Sequence, residues 1–296
     1  MNTSSPSLRQ LNWDFFMVNI NGKIIDSEKA SLSINNRGYN YGDAVFETLK
    51  VVNGKINFFE DHYFRLMATM RILRMEIPMT FTLEFIESEI LRTVNSNNLS
   101  DSSSRVKMVV NRKQGGLYLP EINDVDYIIQ VTKLKTSFYE LNNNKNIIEL
   151  YKDYFIAPNL LSTLKTTNRL INIVGSVFAK ENNFHNCLLM NTNKQIVEAL
   201  NANLFLINGN IIKTPPLSDG CINGIMRKQV ISILNQMSEL TIDEASVSPF
   251  ELQKADELFL TNTIIGLQPV THYRKKIYDN SITKDLLGKL NAISRN

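Results

Sequence analysis

Hydrophobic and polar positions change their spacing along the chain, and each change marks an element. Short strand-like runs at Phe16–Asn19 and Lys23–Ile25 flank Asn21-Gly22, and runs at Val45–Val52 and Lys55–Phe59 flank Asn53-Gly54. Asn-Gly between two such runs predicts a tight hairpin, because both residues tolerate the positive φ angles of its turn. A helical period follows at His62–Arg74, with Tyr63, Leu66, Met70 and Leu73 on one face and Pro78 ending the segment. Phe85–Val94 predicts a second helix, with Ile86, Ile90 and Val94 in register, and the β-branched runs Arg105–Val110 and Tyr127–Val131 predict strands.

The second half repeats the mixture. Asn168–Asn182 reads as a helix capped by Thr166, Thr167 or Asn168, and Gly224–Met237 as another with Ile225, Val230 and Leu234 inward. Strands are expected at Cys187–Met190, Ile196–Glu198, Leu204–Ile207, Ile211–Lys213 and Glu257–Thr261. Between the halves, Lys135–Asn146 is polar and ends in an Asn/Lys cluster, as a linker does. The expected layout is an N-terminal α+β domain over residues 11–134, a linker over 135–146 and a C-terminal α+β domain over 147–296. A cleft between two such halves is the natural ligand site.

Composition narrows the chemistry. Of 296 residues, 43% are hydrophobic and 21% charged, which excludes wholesale disorder. A net charge of +3 gives no electrostatic case for nucleic acid as a partner. No apolar run is long enough to span a membrane, and Met1–Gln10 lacks the pattern of a signal peptide, so a cytoplasmic protein is expected. Cys187 and Cys221 cannot build a disulfide framework. With only His62, His185 and His272 in the chain, no metal site is expected. If the protein is an enzyme, its difficult chemistry comes from a group the chain does not encode.

Each candidate residue has a plain reading beside a chemical one. Lys165, just before a predicted helix, is a surface lysine or a Schiff-base amine that burial keeps deprotonated. Glu198, at the end of an apolar strand, is a solvated edge acid or the partner of a protonated aromatic nitrogen. Asn223-Gly224-Ile225-Met226-Arg227 opens a helix for packing alone, or offers its free amides to a phosphate. Thr261-Asn262-Thr263 could add hydroxyls to the same anion. His62 and Arg65 lie three apart on a helix, as surface residues or, for Arg65, as a bidentate phosphate clamp. Strand alternation puts Phe46 and Thr48 on one face, with Val45 and Glu47 on the other.

Taken in order, these motifs resemble one family. Arg37-Gly38-Tyr39 with Tyr41-Gly42-Asp43, His62 with Arg65-Leu66, Lys165, Glu198 with Asn203-Leu204-Phe205, Gly224-Ile225 with Arg227, and Thr261-Asn262-Thr263 are similar to the class IV aminotransferases, the fold type IV pyridoxal-phosphate enzymes. The resemblance runs from about Phe16 to Val270. It implies the two-domain fold of the D-amino-acid aminotransferase type, with pyridoxal 5'-phosphate at the domain interface. Lys165 would bind the cofactor covalently and shuttle protons, and Glu198 would pair with the pyridine nitrogen. Arg65, the Ile225 and Met226 amides and Thr263 would hold the phosphate, with Asn203 beside them. The resemblance also implies a homodimer, in which loops of the partner subunit approach each site.

Within the family, three features lean towards aminodeoxychorismate lyase, which removes a proton from the amine-bearing ring carbon of 4-amino-4-deoxychorismate and expels pyruvate to leave 4-aminobenzoate, a folate precursor. Val45-Phe46-Glu47-Thr48 resembles the lyase version of that strand, where Thr48 could protonate the departing oxygen. Asn223-Gly224-Ile225-Met226-Arg227 resembles the lyase form of that helix start. Leu170 stands where branched-chain aminotransferases place a Tyr, which argues against that group alone, because the D-amino-acid enzymes also have Leu there. Residues 111–120 lack the Arg-x-His of the D-amino-acid enzymes. There Arg112 or Lys113 serves a substrate carboxylate or is a solvated loop charge. Tyr39, Phe46 and Tyr118 are further substrate candidates. The main alternative is a transaminase passing the amino group of a branched-chain or other α-amino acid to 2-oxoglutarate. A non-enzymatic scaffold would need neither Lys165 nor Glu198.

Overall fold

The computed structural model describes residues 17–142 and 144–294; Met1–Gln10, read above for a signal peptide, and Phe16 lie outside them. In the first half, β1 (Met17–Ile20), β2 (Lys23–Asp26), α1 (Arg37–Tyr41), β3 (Ala44–Val52), β4 (Lys55–Ile56), α2 (Phe59–Ile72), α3 (Leu83–Ser96), β5 (Ser103–Arg112) and β6 (Val125–Lys133) follow in order. The strands form one antiparallel sheet, β2-β1-β6-β5-β3-β4. Both predicted hairpins form, with Asn21, Gly22, Asn53 and Gly54 all at positive φ. Leu66, Met70, Ile86, Ile90 and Val94 bury the inner faces of α2 and α3 against Val45, Leu49, Val106 and Met108 of the sheet. α2 ends earlier than Pro78 would require. Arg74 turns left-handed (φ 56°) and its amide reaches back to the Arg71 carbonyl, so the chain leaves the helix without help from the proline.

The second half contains β7 (Ile147–Leu150), α4 (Leu170–Glu181), β8 (Asn186–Met190), β9 (Ile196–Ala199), β10 (Asn203–Asn208), β11 (Ile211–Thr214), α5 (Ile225–Leu234), β12 (Thr241–Glu244), β13 (Glu257–Asn262), β14 (Gly266–Pro269), β15 (His272–Tyr273), β16 (Lys276–Ile277) and α6 (Ser281–Ile293). Two sheets, β12-β11-β10-β13-β14 and β16-β15-β7-β8-β9, face each other across Ile148, Leu188, Ile196, Leu204, Leu206, Leu258 and Leu260. α5 and α6 cover the outer face of the first sheet and α4 that of the second. The stretch expected as a linker is not merely polar. Its Tyr139 is buried in the core under α5 and α6 and donates to the Thr263 carbonyl at 3.0 Å.

The expected caps of α4 are used elsewhere. Arg169 stands at its N-cap position without a side-chain cap, while Thr167 and Asn168 both donate to the Gly42 carbonyl. This belongs to a backbone seam between the halves. Phe46 N donates to Lys165 O at 2.9 Å, and Thr167 N to Ala44 O at 3.0 Å. Asp61 of α2 also accepts from Lys228 and Gln229 of α5. Strand β3 and helix α2 of one half are thereby fixed against the Lys165 segment and α5 of the other.

Candidate active site

Lys165 follows a short 3-10 helix, Leu160–Thr163, and its carbonyl is committed to the β3 seam. Its amine lies 4.3 Å from the centre of the Phe46 ring. Burial pushes that amine down to about 7, Arg65 and Arg169 add to the effect, and Glu47 and Glu198 oppose it. Near neutral pH it is thus a free base for a good part of the time, as nucleophilic attack requires.

Glu198 is 4% exposed on β9, and its Oε2 accepts from the Ile222 amide at 2.9 Å. Burial pushes its carboxyl up to about 7 against that amide, Arg169 and Lys165. The Ile222 carbonyl is held by the Asn203 side-chain amide at 2.9 Å, so Glu198 and Asn203 grip the backbone of the same residue from two strands. Gly224, the N-cap of α5, needs to be glycine for space. A Cβ there would sit 2.0 Å from Asn203 Oδ1.

The start of α5 is open. Among the described residues no side chain caps it, so the Ile225 and Met226 amides are left to an outside acceptor. Thr261, paired with Asn203 across the sheet, buries its hydroxyl without a hydrogen-bond partner among the described residues. Thr263 is nearly buried just beyond β13. Arg65 reaches in from α2, donating to Asn223 O at 2.8 Å. Its bidentate partner, however, is Glu47, at 2.7 and 2.5 Å. Arg65 and His62 outweigh the effect of burial on Glu47 and hold its carboxyl down to about 2. An amine, a carboxylate, a guanidinium, uncapped amides and hydroxyls make up the donor set that a phosphorylated pyridine aldehyde needs, and these residues fit it.

The substrate candidates separate. Phe46 borders Lys165, and Thr48 lies on the same face of β3 with a hydroxyl that makes no hydrogen bond among the described residues. Arg112 is placed differently from the expectation. It is 6% exposed and donates to Asp43, Asn123 and the carbonyls of Leu73 and Arg74, so it ties β5 to the end of α2 instead of facing a substrate. Lys113 lies in the solvated loop. Tyr39 and Tyr118 are 79% and 90% exposed. Arg37 is buried, and its guanidinium holds the Gly115 to Tyr118 carbonyls. A cavity of about 410 Å³ under the 31–36 and 113–122 loops is lined by none of the Lys165 group.

Lys107 was not among the sequence candidates. It pairs with Thr48 across β3 and β5, its amine lies 5.4 Å from the Phe46 ring centre, and it has no carboxylate partner among the described residues. Burial and Arg105 lower its pKa. The strand alternation that placed Phe46 and Thr48 was the available signal, but the register to β5 was not.

The family model for class IV aminotransferases matches residues 44–273, and the chain belongs to that family. It is accordingly a pyridoxal-phosphate-dependent enzyme. It is 26% identical, over 271 residues covering 92% of each chain, to a protein of Methanocaldococcus jannaschii provisionally named a branched-chain-amino-acid aminotransferase. The crystal structure of the branched-chain aminotransferase of Thermoproteus uzoniensis with norvaline superposes with a TM-score of 0.85 at 23% identity, covering 95% of each chain, and shares the two-domain α+β fold. A Legionella pneumophila structure provisionally named a 4-amino-4-deoxychorismate lyase superposes with a TM-score of 0.79 at 25% identity, covering 90% of this chain and 97% of that one.

Proposed function

We propose that the chain is a 4-amino-4-deoxychorismate lyase that releases pyruvate and leaves 4-aminobenzoate. When bound, pyridoxal 5'-phosphate supplies the electron sink for the carbon that loses its proton. In this reading the cofactor lies between the halves. Lys165 binds it and moves the proton, Glu198 holds its ring nitrogen protonated, and Arg65, Asn203, the Ile225 and Met226 amides and Thr263 hold the rest.

The observation that carries the choice of reaction is that Phe46, which borders Lys165, shares its face of the sheet with Thr48 and its cross-strand partner Lys107. Proton abstraction alone needs only the amine. Elimination also leaves an oxygen that must gain a proton, and Thr48 offers an uncommitted hydroxyl on the Lys165 side of β3. Lys107, paired directly with Thr48, offers a cation for a substrate carboxylate. Thr48→Val should slow pyruvate release by about 10²-fold and leave the cofactor's visible spectrum unchanged. Unaltered turnover would remove Thr48 from the reaction.

Transamination of a branched-chain or other α-amino acid is the second reading, and the name carried by the Methanocaldococcus relative favours it. A homodimer belongs to either reading. Tyr39, Leu117, Tyr118 and Leu119 on one half, and Leu170, Ile173 and Val177 on α4, are exposed apolar groups that a second copy would cover. Tyr39 and Tyr118 would then meet substrate across that interface. Both cysteines are free and buried, in keeping with a cytoplasmic setting.

A further inference from the structure

Arg65 is clamped at both ends. On one side its Nε and Nη2 donate to the two oxygens of Glu47, and on the other its Nη1 donates to Asn223 O, two residues before Ile225. Glu47 is itself fixed. It is 2% exposed on the core face of β3, and His62 Nδ1 lies 2.7 Å from its Oε2. An ionised carboxylate only accepts, so Nδ1 carries the His62 proton. Burial lowers the pKa of the ring, which leaves Nε2 as the unprotonated nitrogen, and Nε2 is buried without a hydrogen-bond partner among the described residues. The His62 ring therefore holds Glu47 without adding a second positive charge.

We infer that Glu47 is a positioning residue of the anion seat, holding the Arg65 guanidinium in one plane so that its remaining N–H groups stay beside the uncapped start of α5. The inference rests on reading that helix start as the phosphate seat. It makes a prediction whose sign is opposite to the simplest electrostatic one. Glu47 is an anion against the cation that would bind phosphate. On charge alone its loss should tighten phosphate binding. If its part is geometric, its loss releases Arg65 and weakens binding although the site has become more positive.

The test is titration calorimetry of the full-length chain, freed of cofactor, with inorganic phosphate. Glu47→Gln should weaken phosphate binding by about tenfold or more, the effect of losing one well-aligned charge-assisted contact. Arg65→Lys keeps the charge but cannot span Glu47 and Asn223, and should lose a similar factor. The double variant should bind no more weakly than the weaker single one, because both changes break one device. A purely structural role would lower the melting temperature equally with and without phosphate. Equal or tighter phosphate binding by Glu47→Gln, or additive losses in the double variant, would overturn the inference. If Glu47→Gln does not fold, Glu47→Asp, which keeps the charge but shortens the reach, completes the same cycle. A wild-type chain that does not respond to phosphate would remove the seat itself, which is a different failure from an unaltered response in Glu47→Gln.

Discussion

Glu47 and Glu198 are both buried carboxylates, one from each half of the molecule, and both act on the charge of Lys165. Their partners set them apart. Glu47 receives two N–H groups of a guanidinium and one of an imidazole, and its carboxyl falls to about 2. Glu198 receives a single peptide amide, with Arg169 and Lys165 as further charges, and its carboxyl rises to about 7. Burial penalises the anion in both, and the presence or absence of a hydrogen-bonded guanidinium decides the outcome. One glutamate is a permanent anion suited to holding an arginine. The other changes its charge near pH 7 in the chain alone, so a cation brought in from outside can claim it.

The largest effect should come from the amine on which both carboxylates act. Lys165→Ala should lower turnover by at least about 10⁴-fold and abolish the visible band of the bound cofactor. A retained covalent band would place the attachment elsewhere.

Glu198→Gln comes next, with an expected loss of about 10²-fold in turnover from the missing partner of the ring nitrogen. It also has a signature without cofactor. The folded value of Glu198 lies above its usual 4.5, so its contribution to stability is present below pH 4.5 and is lost as pH rises towards 7. Glu47, whose folded value lies below 4.5, contributes above pH 4.5 and loses that contribution as pH falls towards 2. Urea midpoints against pH should show both slopes, and Glu198→Gln should flatten only the one between pH 4.5 and 7. A slope in that window that survives the substitution would mean that Glu198 is not the group responsible.

The same contrast holds between two cations. Arg112→Gln should cost about 3 kcal/mol of stability, because Arg112 is buried and ion-paired with Asp43, yet leave KM unchanged. Lys107→Met should raise KM by about tenfold with little loss of stability. The reverse pattern would restore Arg112 as the substrate cation.

Much of this was legible from local sequence. Asn21-Gly22 and Asn53-Gly54 marked their hairpins, and the helical period of Leu66, Met70, Ile86 and Ile90 marked the face that packs on the sheet. What escaped depends on register and on distant partners. Lys107 meets Thr48 only because β3 and β5 pair with that offset, and no local pattern encodes it. Arg112 read as a cation for a substrate carboxylate or as a solvated loop charge, but it is the last residue of β5 and its guanidinium is consumed by groups from three other segments. Arg37-Gly38-Tyr39-Asn40-Tyr41 carries too few residues to show a helical period, so α1 was visible only as a motif. Glu47 was placed on the correct face, but its grip on Arg65 depends on how α2 crosses the sheet.

The reaction itself is decided by incubating the purified, pyridoxal-phosphate-loaded enzyme with 4-amino-4-deoxychorismate and, separately, with leucine and 2-oxoglutarate, and identifying the products of each. A lyase yields 4-aminobenzoate and pyruvate in equal amounts from the first and little glutamate from the second. Glutamate formation without any 4-aminobenzoate would contradict the lyase reading.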